Sequence, residues 1–375
     1  MRFASLFITL LTSFGCSSIA RTALPFNDLP QPNGPFAVGT NTETWVDSSR
    51  EEAFTGNAGD PRRIVVQYWY PAEYETDSDV LPYIDSPDVR LNAFAKNMGL
   101  PKFLVDHIRE VKTHSVLGAA VQSTPKAMPL IVFSHGLGGM KSQNTINAEE
   151  LASHGYIVIG VDHAFDSYLT VFDNGDTADY RSSSEGLETE EDFWAARGPQ
   201  LATRTADIRF MLDVIESRKA DDADNLWQDV DMDRVGIFGH SFGGATSIMA
   251  LRDDPRIRAA IALDGWMVPI AKEVIKAGSQ KPVLYIGQER WDDPLNYRKL
   301  DKFIASSDAT VTRKLIPGTK HMDFADAPHL SNFAKRFGFA GSVPSAELRQ
   351  MLNTDILNFF AKHLDFDQGR QGQLQ

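Results

Sequence analysis

Apolar residues occur along this chain in short continuous runs, and segments with helical periodicity separate the later runs. Short apolar runs bounded by turn residues are typical of strands that are buried on both faces of a parallel sheet. On this pattern, the predicted strands are 64–70, 130–133, 156–161, 234–238, 259–263, 283–287 and 312–316.

Helices are predicted at 201–216, 245–251 and 348–360. The first and last of these segments each place four apolar residues on one face, at the spacing of an α-helix. Because strands and helices alternate, right-handed crossovers should build a mostly parallel sheet with helices on both faces. The predicted fold class is therefore α/β.

The predicted domain organisation has an extended arm, one large domain and a short tail. Residues 21–60 are rich in Pro, Gly, Asn and Thr, which favours an arm without its own core. The α/β domain is predicted at 61–365 and a C-terminal tail at 366–375. Within the domain, the strand rhythm lapses at 82–126, which predicts a helical insertion. This insertion either packs on the sheet or forms a substrate wall or lipid-facing surface.

Length and charge restrict the class of protein further. The 375 residues, 42% of them hydrophobic, are enough for one large domain with a sizeable core. The chain has 37 basic and 50 acidic residues, for a net charge of −13. This acidic balance argues against a phosphate backbone as partner, so no nucleic acid is expected.

The N-terminus predicts export. Residues 1–20 form a predicted signal peptide, whose apolar run at 3–11 is too short to span a bilayer. Two cleavage hypotheses compete, a small-x-small site at 18–20 and a lipoprotein junction at Gly15-Cys16. The second would attach lipid to Cys16, which is otherwise an ordinary small residue of the signal. A secreted or periplasmic protein is expected under both hypotheses.

Candidate chemistry is concentrated where predicted strand 234–238 stops at Gly239-His240-Ser241-Phe242-Gly243 and a predicted helix follows. This is the pattern of the nucleophile elbow of an α/β-hydrolase, in which a serine on a tight strand-to-helix turn projects its hydroxyl outward. Gly239 and Gly243 would let the neighbouring backbones pass closely. Ser241 is therefore the predicted nucleophile, and it needs a base and an orienting acid.

The predicted base is His321, because it follows a strand and a turn late in the chain, where this fold presents its histidine. His329 is a minor alternative, and His240 is expected to point away from Ser241 and serve packing. Two positions remain open for the acid. Asp264 ends strand 259–263, whereas Asp292 and its neighbour follow strand 283–287, and spacing alone does not choose between them.

Backbone N–H groups are the predicted donors to a developing oxyanion. One should be that of Phe242, directly after the serine, and the other that of Leu137, in the glycine-rich turn at 134–139. Neither a metal nor a cofactor is expected, since no cluster of metal-ligating residues is visible in the sequence.

Several motifs together resemble the plasma-type, group VII-like, platelet-activating factor acetylhydrolases of the α/β-hydrolase superfamily. The resemblance extends from residue 34 to the final helix and includes 133–138, 151–158, 239–246, 261–267 and 321–326. Carried over by position, it implies Ser241 as nucleophile, Asp264 as acid, His321 as base, and Leu137 and Phe242 as oxyanion donors. It thus favours Asp264 over Asp292.

The resemblance also implies a calcium-independent serine esterase that removes short or oxidised sn-2 acyl groups from phospholipids, in transient contact with a membrane or lipoprotein surface. The segments 82–126 and 326–344 match the family poorly, and these would shape lipid access. Trp266, Met267 and Phe324 adjoin the predicted acid and base, where they either line the acyl site or pack the core. A broad carboxylesterase or polyester hydrolase is the alternative function. A non-catalytic binding protein is more remote, since all three triad residues are present.

Overall fold

The computed structural model describes residues 20–73, 79–124, 126–220, 225–308 and 310–364. The predicted signal peptide up to residue 19, with Cys16, and the tail 366–375 lie outside these ranges. The strands are β1 Ala37–Glu51, β2 Pro61–Ala72, β3 Val80–Pro82, β4 Lys112–Leu117, β5 Met128–Ser134, β6 Ile157–Asp162, β7 Leu169–Val171, β8 Thr177–Asp179, β9 Val230–His240, β10 Ile257–Leu263, β11 Val283–Gln288 and β12 Val311–Ile316.

Helices connect these strands, and each predicted helix is present with longer bounds. The helices are α1 Pro87–Asn97, α2 Lys102–Val105, α3 Thr145–Ser153, α4 Glu190–Lys219, α5 Asn225–Gln228, α6 Phe242–Asp253, α7 Lys272–Ala277, α8 Leu295–Ala305, α9 Ala327–Leu330, α10 Phe333–Arg336 and α11 Ser345–Leu364. Two 3₁₀ helices occur at Asp106–Glu110 and His321–Phe324.

Ten of the strands form one sheet in the order β12-β11-β10-β9-β5-β6-β2-β1-β4-β3. All pairings from β12 to β6 are parallel. Strand β2 is antiparallel to β6 and β1, β4 is parallel to β1, and β3 is antiparallel to β4. Strands β7 and β8 form a separate antiparallel pair. The predicted mostly parallel α/β fold is confirmed.

The sheet is covered on both faces because its central strands are apolar on both sides. In β9, Ile237 belongs to a core cluster with Ile208 of α4, whereas Phe238 belongs to a second cluster with Phe360 of α11. Successive residues of a strand point to opposite faces, so these clusters lie on the two sides of the sheet. Strands β12 to β6 are parallel to one another, so their carboxyl ends lie together at one edge of the sheet. The site residues lie at this edge.

Two segments differ from the prediction. The segment 21–60, predicted as an extended arm, contains β1, which pairs with β2 along most of its length. Its mixed burial, with many half-buried polar residues, removes the apolar run by which the other strands were recognised. The segment 82–126, predicted as a helical insertion, contains α1 and α2 but also β4, which extends the sheet.

The helices of the insertion are anchored by their apolar faces. Leu91 of α1 and Ile108 are completely buried in a cluster with Met140 and Tyr168, close to the glycine-rich turn. Phe103 of α2 remains 58% exposed. Within the described ranges, no helix combines the length and apolar character that crossing a membrane requires.

Candidate active site

Ser241 lies between the end of β9 and the start of α6, as the elbow motif predicts. Its backbone has φ 57° and ψ −118°, a conformation that residues with a side chain rarely adopt. Such strain persists only where the surrounding structure imposes it, and it turns the side chain out of the strand.

The two glycines of the motif are required by the close approach of three backbone segments. A Cβ atom at Gly239 would lie 2.2 Å from the carbonyl oxygen of Gly243, and one at Gly243 would lie 1.9 Å from that of Ser134. Both distances are far shorter than any van der Waals contact. The predicted reason for these glycines is confirmed.

His321 and Asp264 are brought together although 57 residues separate them. His321 Nδ1 lies 2.6 Å from Asp264 Oδ2, so the ring donates its Nδ1 proton to the carboxylate. Asp264 is completely buried after β10, whereas the His321 side chain is 35% exposed. The Nε2 atom of His321 is therefore the ring nitrogen that is left to accept a proton.

Three further N–H groups bind the carboxylate of Asp264. Trp291 Nε1 and the backbone N of Gln288 donate to Oδ1 at 2.9 and 3.1 Å, and Gln288 Nε2 donates to Oδ2 at 2.9 Å. A Cβ at Gly287 would lie 2.6 Å from Oδ1, so only glycine leaves room for this carboxylate. Neither Trp291 nor Gln288 was predicted from the sequence, although Gln288 is a polar residue directly after a predicted strand.

The other candidates for acid and base lie elsewhere. Asp292 and Asp293 are exposed, and Asp293 accepts a hydrogen bond from the N–H of Leu295 at the start of α8. His329 lies in α9, where burial, together with the nearby cations Arg349 and Lys335, lowers its pKa to about 4. The geometry thus selects Asp264 as the partner of His321.

His240 packs against His321, with 4.5 Å between the ring centroids. The Nε2 atom of His240 donates to the carbonyl oxygen of His321 at 3.0 Å, and burial lowers the pKa of His240 well below its ordinary value. A neutral ring is therefore expected here. His240 is therefore a packing residue, as predicted, and it also holds His321 in place.

The glycine-rich turn carries Leu137, whose N–H has no recorded acceptor in the part of the chain that the structure describes. The same holds for the N–H of Phe242 in the first turn of α6, as expected at a helix N-terminus. The neighbouring groups of the turn are occupied, since Gly136 N–H donates to Gln143 Oε1 at 2.8 Å and Gly138 N–H to the carbonyl of Asp166 at 3.1 Å.

Arg204 of α4, which is 1% exposed, holds this turn in place through hydrogen bonds. Its guanidinium is paired with the carboxylate of Asp166 and donates to the carbonyl oxygens of His135 and Gly136. It also lies 4.8 Å from the ring centroid of Phe242. Arg204 was not predicted from the sequence, although an arginine on the apolar face of predicted helix 201–216 is a visible signal.

The three predicted substrate-binding residues differ in how far they are exposed. Trp266 is half-buried, donates its backbone N–H to the carbonyl of Ser241 at 2.8 Å, and has its ring centroid 5.9 Å from that of Phe242. Met267 and Phe324 are fully buried in the two core clusters. Because neither of these two exposes any surface, their expected contact with substrate is not supported, and core packing accounts for both.

The open strand-to-helix elbow, the buried aspartate bonded to a histidine and the mostly parallel sheet define an α/β-hydrolase. The family model described as "Platelet-activating factor acetylhydrolase, isoform II" matches residues 22–373. The chain belongs to this family, and its activity is the hydrolysis of esters.

Individual relatives agree with the family match. The chain is 28% identical to a platelet-activating factor acetylhydrolase of Canis lupus familiaris, with 93% of this chain and 81% of the relative covered. It is 23% identical to a probable 1-alkyl-2-acetylglycerophosphocholine esterase of Arthroderma benhamiae, with 94% and 92% covered. Among solved structures, a ferulic acid esterase from Streptomyces cinnamoneus matches with a TM-score of 0.72 and 28% identity, covering 90% of this chain and 93% of the other.

Proposed function

We propose that this chain is a serine esterase that removes short sn-2 acyl groups from phospholipids, a 1-alkyl-2-acetylglycerophosphocholine esterase. The observation that carries the mechanism is the 2.6 Å hydrogen bond between His321 and buried Asp264, at the same sheet edge as the strained Ser241. The names of the relatives from Canis lupus familiaris and Arthroderma benhamiae support the substrate class.

In the proposed reaction, His321 Nε2 takes the hydroxyl proton as Ser241 Oγ attacks the ester carbonyl carbon. Asp264 holds the Nδ1 proton and stabilises the imidazolium that forms. The N–H groups of Leu137 and Phe242 donate to the oxyanion of the tetrahedral intermediate. When this intermediate collapses, the C–O bond breaks and the alcohol leaves with the proton from His321.

The resulting acyl-enzyme is hydrolysed by the same groups. His321 Nε2 removes a proton from water, and the hydroxide adds to the acyl carbon under the same two N–H donors. Collapse of the second intermediate releases the carboxylic acid and returns the proton to Ser241 Oγ. The cycle uses no group beyond the residues named and water.

Contact with a lipid surface is part of the proposal. Met98 and Phe103 at the ends of α1 and α2 are 45% and 58% exposed, and Phe337 and Phe339 after α10 are 62% and 56% exposed. The two segments adjoin, because Phe333 of α10 packs on the same buried cluster as the residues of α1 and α2. Exposed apolar side chains in neighbouring segments suit transient insertion among lipids. Export through the signal peptide would bring the enzyme to such surfaces.

A general carboxylesterase is the second candidate, which the similarity to a ferulic acid esterase favours. To decide, hydrolysis of a 2-acetyl ether phospholipid should be compared with a series of nitrophenyl esters of increasing acyl length, with Ser241→Ala as the blank. Efficient, Ser241-dependent release of acetate from the phospholipid would support the proposal. Turnover confined to the simple esters would instead indicate a carboxylesterase.

A further inference from the structure

A cavity of about 550 Å³ opens between helices α4, α7 and α8 and the segment that follows β10. This volume lies within the range of about 300–1,000 Å³ that is usual for small-molecule sites. Five apolar residues and five charged residues line it: Phe193, Trp194, Val268, Ile275, Leu295, Glu190, Lys272, Arg298, Lys299 and Lys302.

The cavity adjoins the site but shares none of the proposed triad or oxyanion residues. Phe193 of its wall contacts Trp266 with 5.7 Å between ring centroids, and Trp266 is the residue whose N–H binds the Ser241 carbonyl. Trp266 therefore contacts both a wall residue of the cavity and the backbone of Ser241. The mechanism proposed above leaves the cavity without a role.

The charged lining is strongly biased towards cations, although the whole chain carries a net charge of −13. Four cationic side chains and one carboxylate, that of Glu190, belong to the lining, and Glu190 accepts a hydrogen bond from Trp194 Nε1 at 3.3 Å. Glu273 and Asp293 lie outside the lining but close enough to Lys299 to act on its pKa, so the excess of cations is at the rim, at Lys272, Arg298 and Lys302. In the described part of the chain, no ion pair is recorded for Lys272, Arg298 or Lys302, which are exposed at the rim.

The fourth cation joins the apolar and the charged parts of the lining. Lys299 Nζ lies 5.0 Å from the ring centroid of Trp194 and donates to the carbonyl oxygens of Val268 and Ile270 at 2.6 and 2.7 Å. These hydrogen bonds hold the Lys299 ammonium over the ring of Trp194. The cavity therefore presents an apolar interior directly beneath positive charge.

We propose that this cavity binds a single-chain anionic amphiphile, a long-chain carboxylate, independently of ester hydrolysis. The alkyl chain packs on Trp194, Val268 and Leu295, and the carboxylate meets the cations of the rim. Charge complementarity selects this occupant, because a cationic or neutral amphiphile of the same length would fill the apolar part without compensating the clustered cations.

The test is calorimetric titration of the full chain carrying Ser241→Ala with dodecanoate below its micelle concentration. Dodecyltrimethylammonium, with the same chain and the opposite charge, is the ligand control. Lys272→Glu and Lys276→Glu form a matched pair of variants, because both residues are exposed lysines of α7 and only Lys272 lines the cavity. Lys302→Glu reverses the charge of a second lining residue from α8.

We expect dodecanoate to bind at least about tenfold more tightly than the cationic amphiphile, since opposite charges at the rim add several-fold to affinity. Lys272→Glu and Lys302→Glu should each weaken its binding several-fold, and Lys276→Glu should leave it unchanged. Thermal unfolding of each variant verifies that it is folded.

Three outcomes of the titrations would overturn the proposal. They are absence of dodecanoate binding, equal affinity for both amphiphiles, and equal effects of Lys272→Glu and Lys276→Glu. Binding confined to vesicles of anionic phospholipid would also overturn it and indicate a membrane-docking surface. Dodecanoate contains no ester and Ser241 is absent, so failure here is separate from failure of the proposed esterase activity.

Discussion

Arg204 Nη2 donates a hydrogen bond of 3.2 Å to the carbonyl oxygen of Gly136, and this oxygen belongs to the same peptide as the N–H of Leu137. The peptide unit is planar, with its C=O and N–H directed oppositely. Holding the carbonyl of Gly136 against α4 therefore aims the Leu137 N–H away from α4. His135 Nδ1 donates to the same oxygen at 2.6 Å and strengthens this orientation.

Arg204→Lys should lower kcat by about tenfold to a hundredfold, because an ammonium cannot reproduce the fork that holds Asp166 and two carbonyls. KM should change little, since Arg204 touches no substrate in the proposed mechanism. Arg197→Lys is the matched control, since Arg197 is an equally buried arginine of α4 that bonds the 182–184 segment instead of the turn. Equal losses of kcat in both variants would contradict the positioning role.

Asp264→Asn should reduce kcat/KM by about a thousandfold or more, because the amide no longer fixes the Nδ1 tautomer of His321. Asp292→Asn should leave kcat/KM unchanged, since Asp292 is exposed and, among the described residues, the carboxylate that bonds His321 is that of Asp264. Both values follow from initial rates with a nitrophenyl ester. The reverse pattern would mean that Asp264 is not the acid.

Trp291→Phe should lower kcat/KM by about tenfold, because it removes the Nε1 donor to Asp264 Oδ1 and leaves that buried oxygen with one hydrogen bond fewer. Phenylalanine keeps an aromatic ring beside His321, whose centroid lies 5.0 Å from that of Trp291. The measurement is steady-state kinetics beside the wild type. Unchanged kinetics would show that Gln288 alone suffices to orient the carboxylate.

Glu149→Gln should change how stability depends on pH. Burial raises the pKa of Glu149 to about 7, opposed by hydrogen bonds from Ser115 and the His114 backbone. The folded protein therefore holds a proton that the unfolded chain loses, so stability falls as pH rises from about 4.5 to about 7. Both hydrogen bonds end on Oε1, and Oε2 has no hydrogen-bond partner among the described residues, so a neutral amide can replace the acid.

Urea denaturation of both proteins at pH 4.5 and pH 8 measures this effect together with the titration of Asp326, because the charge of Glu149 contributes to raising the pKa of that buried carboxyl. Relative to the wild type, Glu149→Gln should gain more than about 1 kcal/mol of stability between the lower and the higher pH, because the amide has no proton to lose. A difference between the two proteins that does not vary with pH would contradict this prediction.

Gly243→Ala should destabilise the fold by more than about 3 kcal/mol, because its Cβ would lie 1.9 Å from the backbone oxygen of Ser134. Gly56→Ala, in the loop between β1 and β2, is the control. Its Cβ would meet nothing within 4 Å and its φ lies outside the left-handed region, so alanine should change the stability by less than about 1 kcal/mol. Thermal unfolding compares the variants, and a tolerated Gly243→Ala would mean that the elbow can relax.

Much of the fold was predictable where burial produces an unambiguous pattern. Strands such as β9 and β10 are buried on both faces, so their apolar runs are continuous and independent of tertiary detail. Strand β1 was not predicted, because many of its residues are only half-buried and its polar residues follow no simple alternation. Its place in the sheet depends on pairing with β2, a long-range contact that no local pattern encodes.

By itself, the sequence determined the α/β class, the serine elbow, the glycines it requires and a histidine shortly after the last strand, because each follows from local spacing. The choice of Asp264 over Asp292 in the structure, the donors Trp291 and Gln288, and the support of the turn by Arg204 depend on tertiary contacts between distant segments. Core packing of Met267 and Phe324 was likewise decided by folding. A spacing rule specifies which residues stand at strand ends, but only the packed sheet specifies which of them meet.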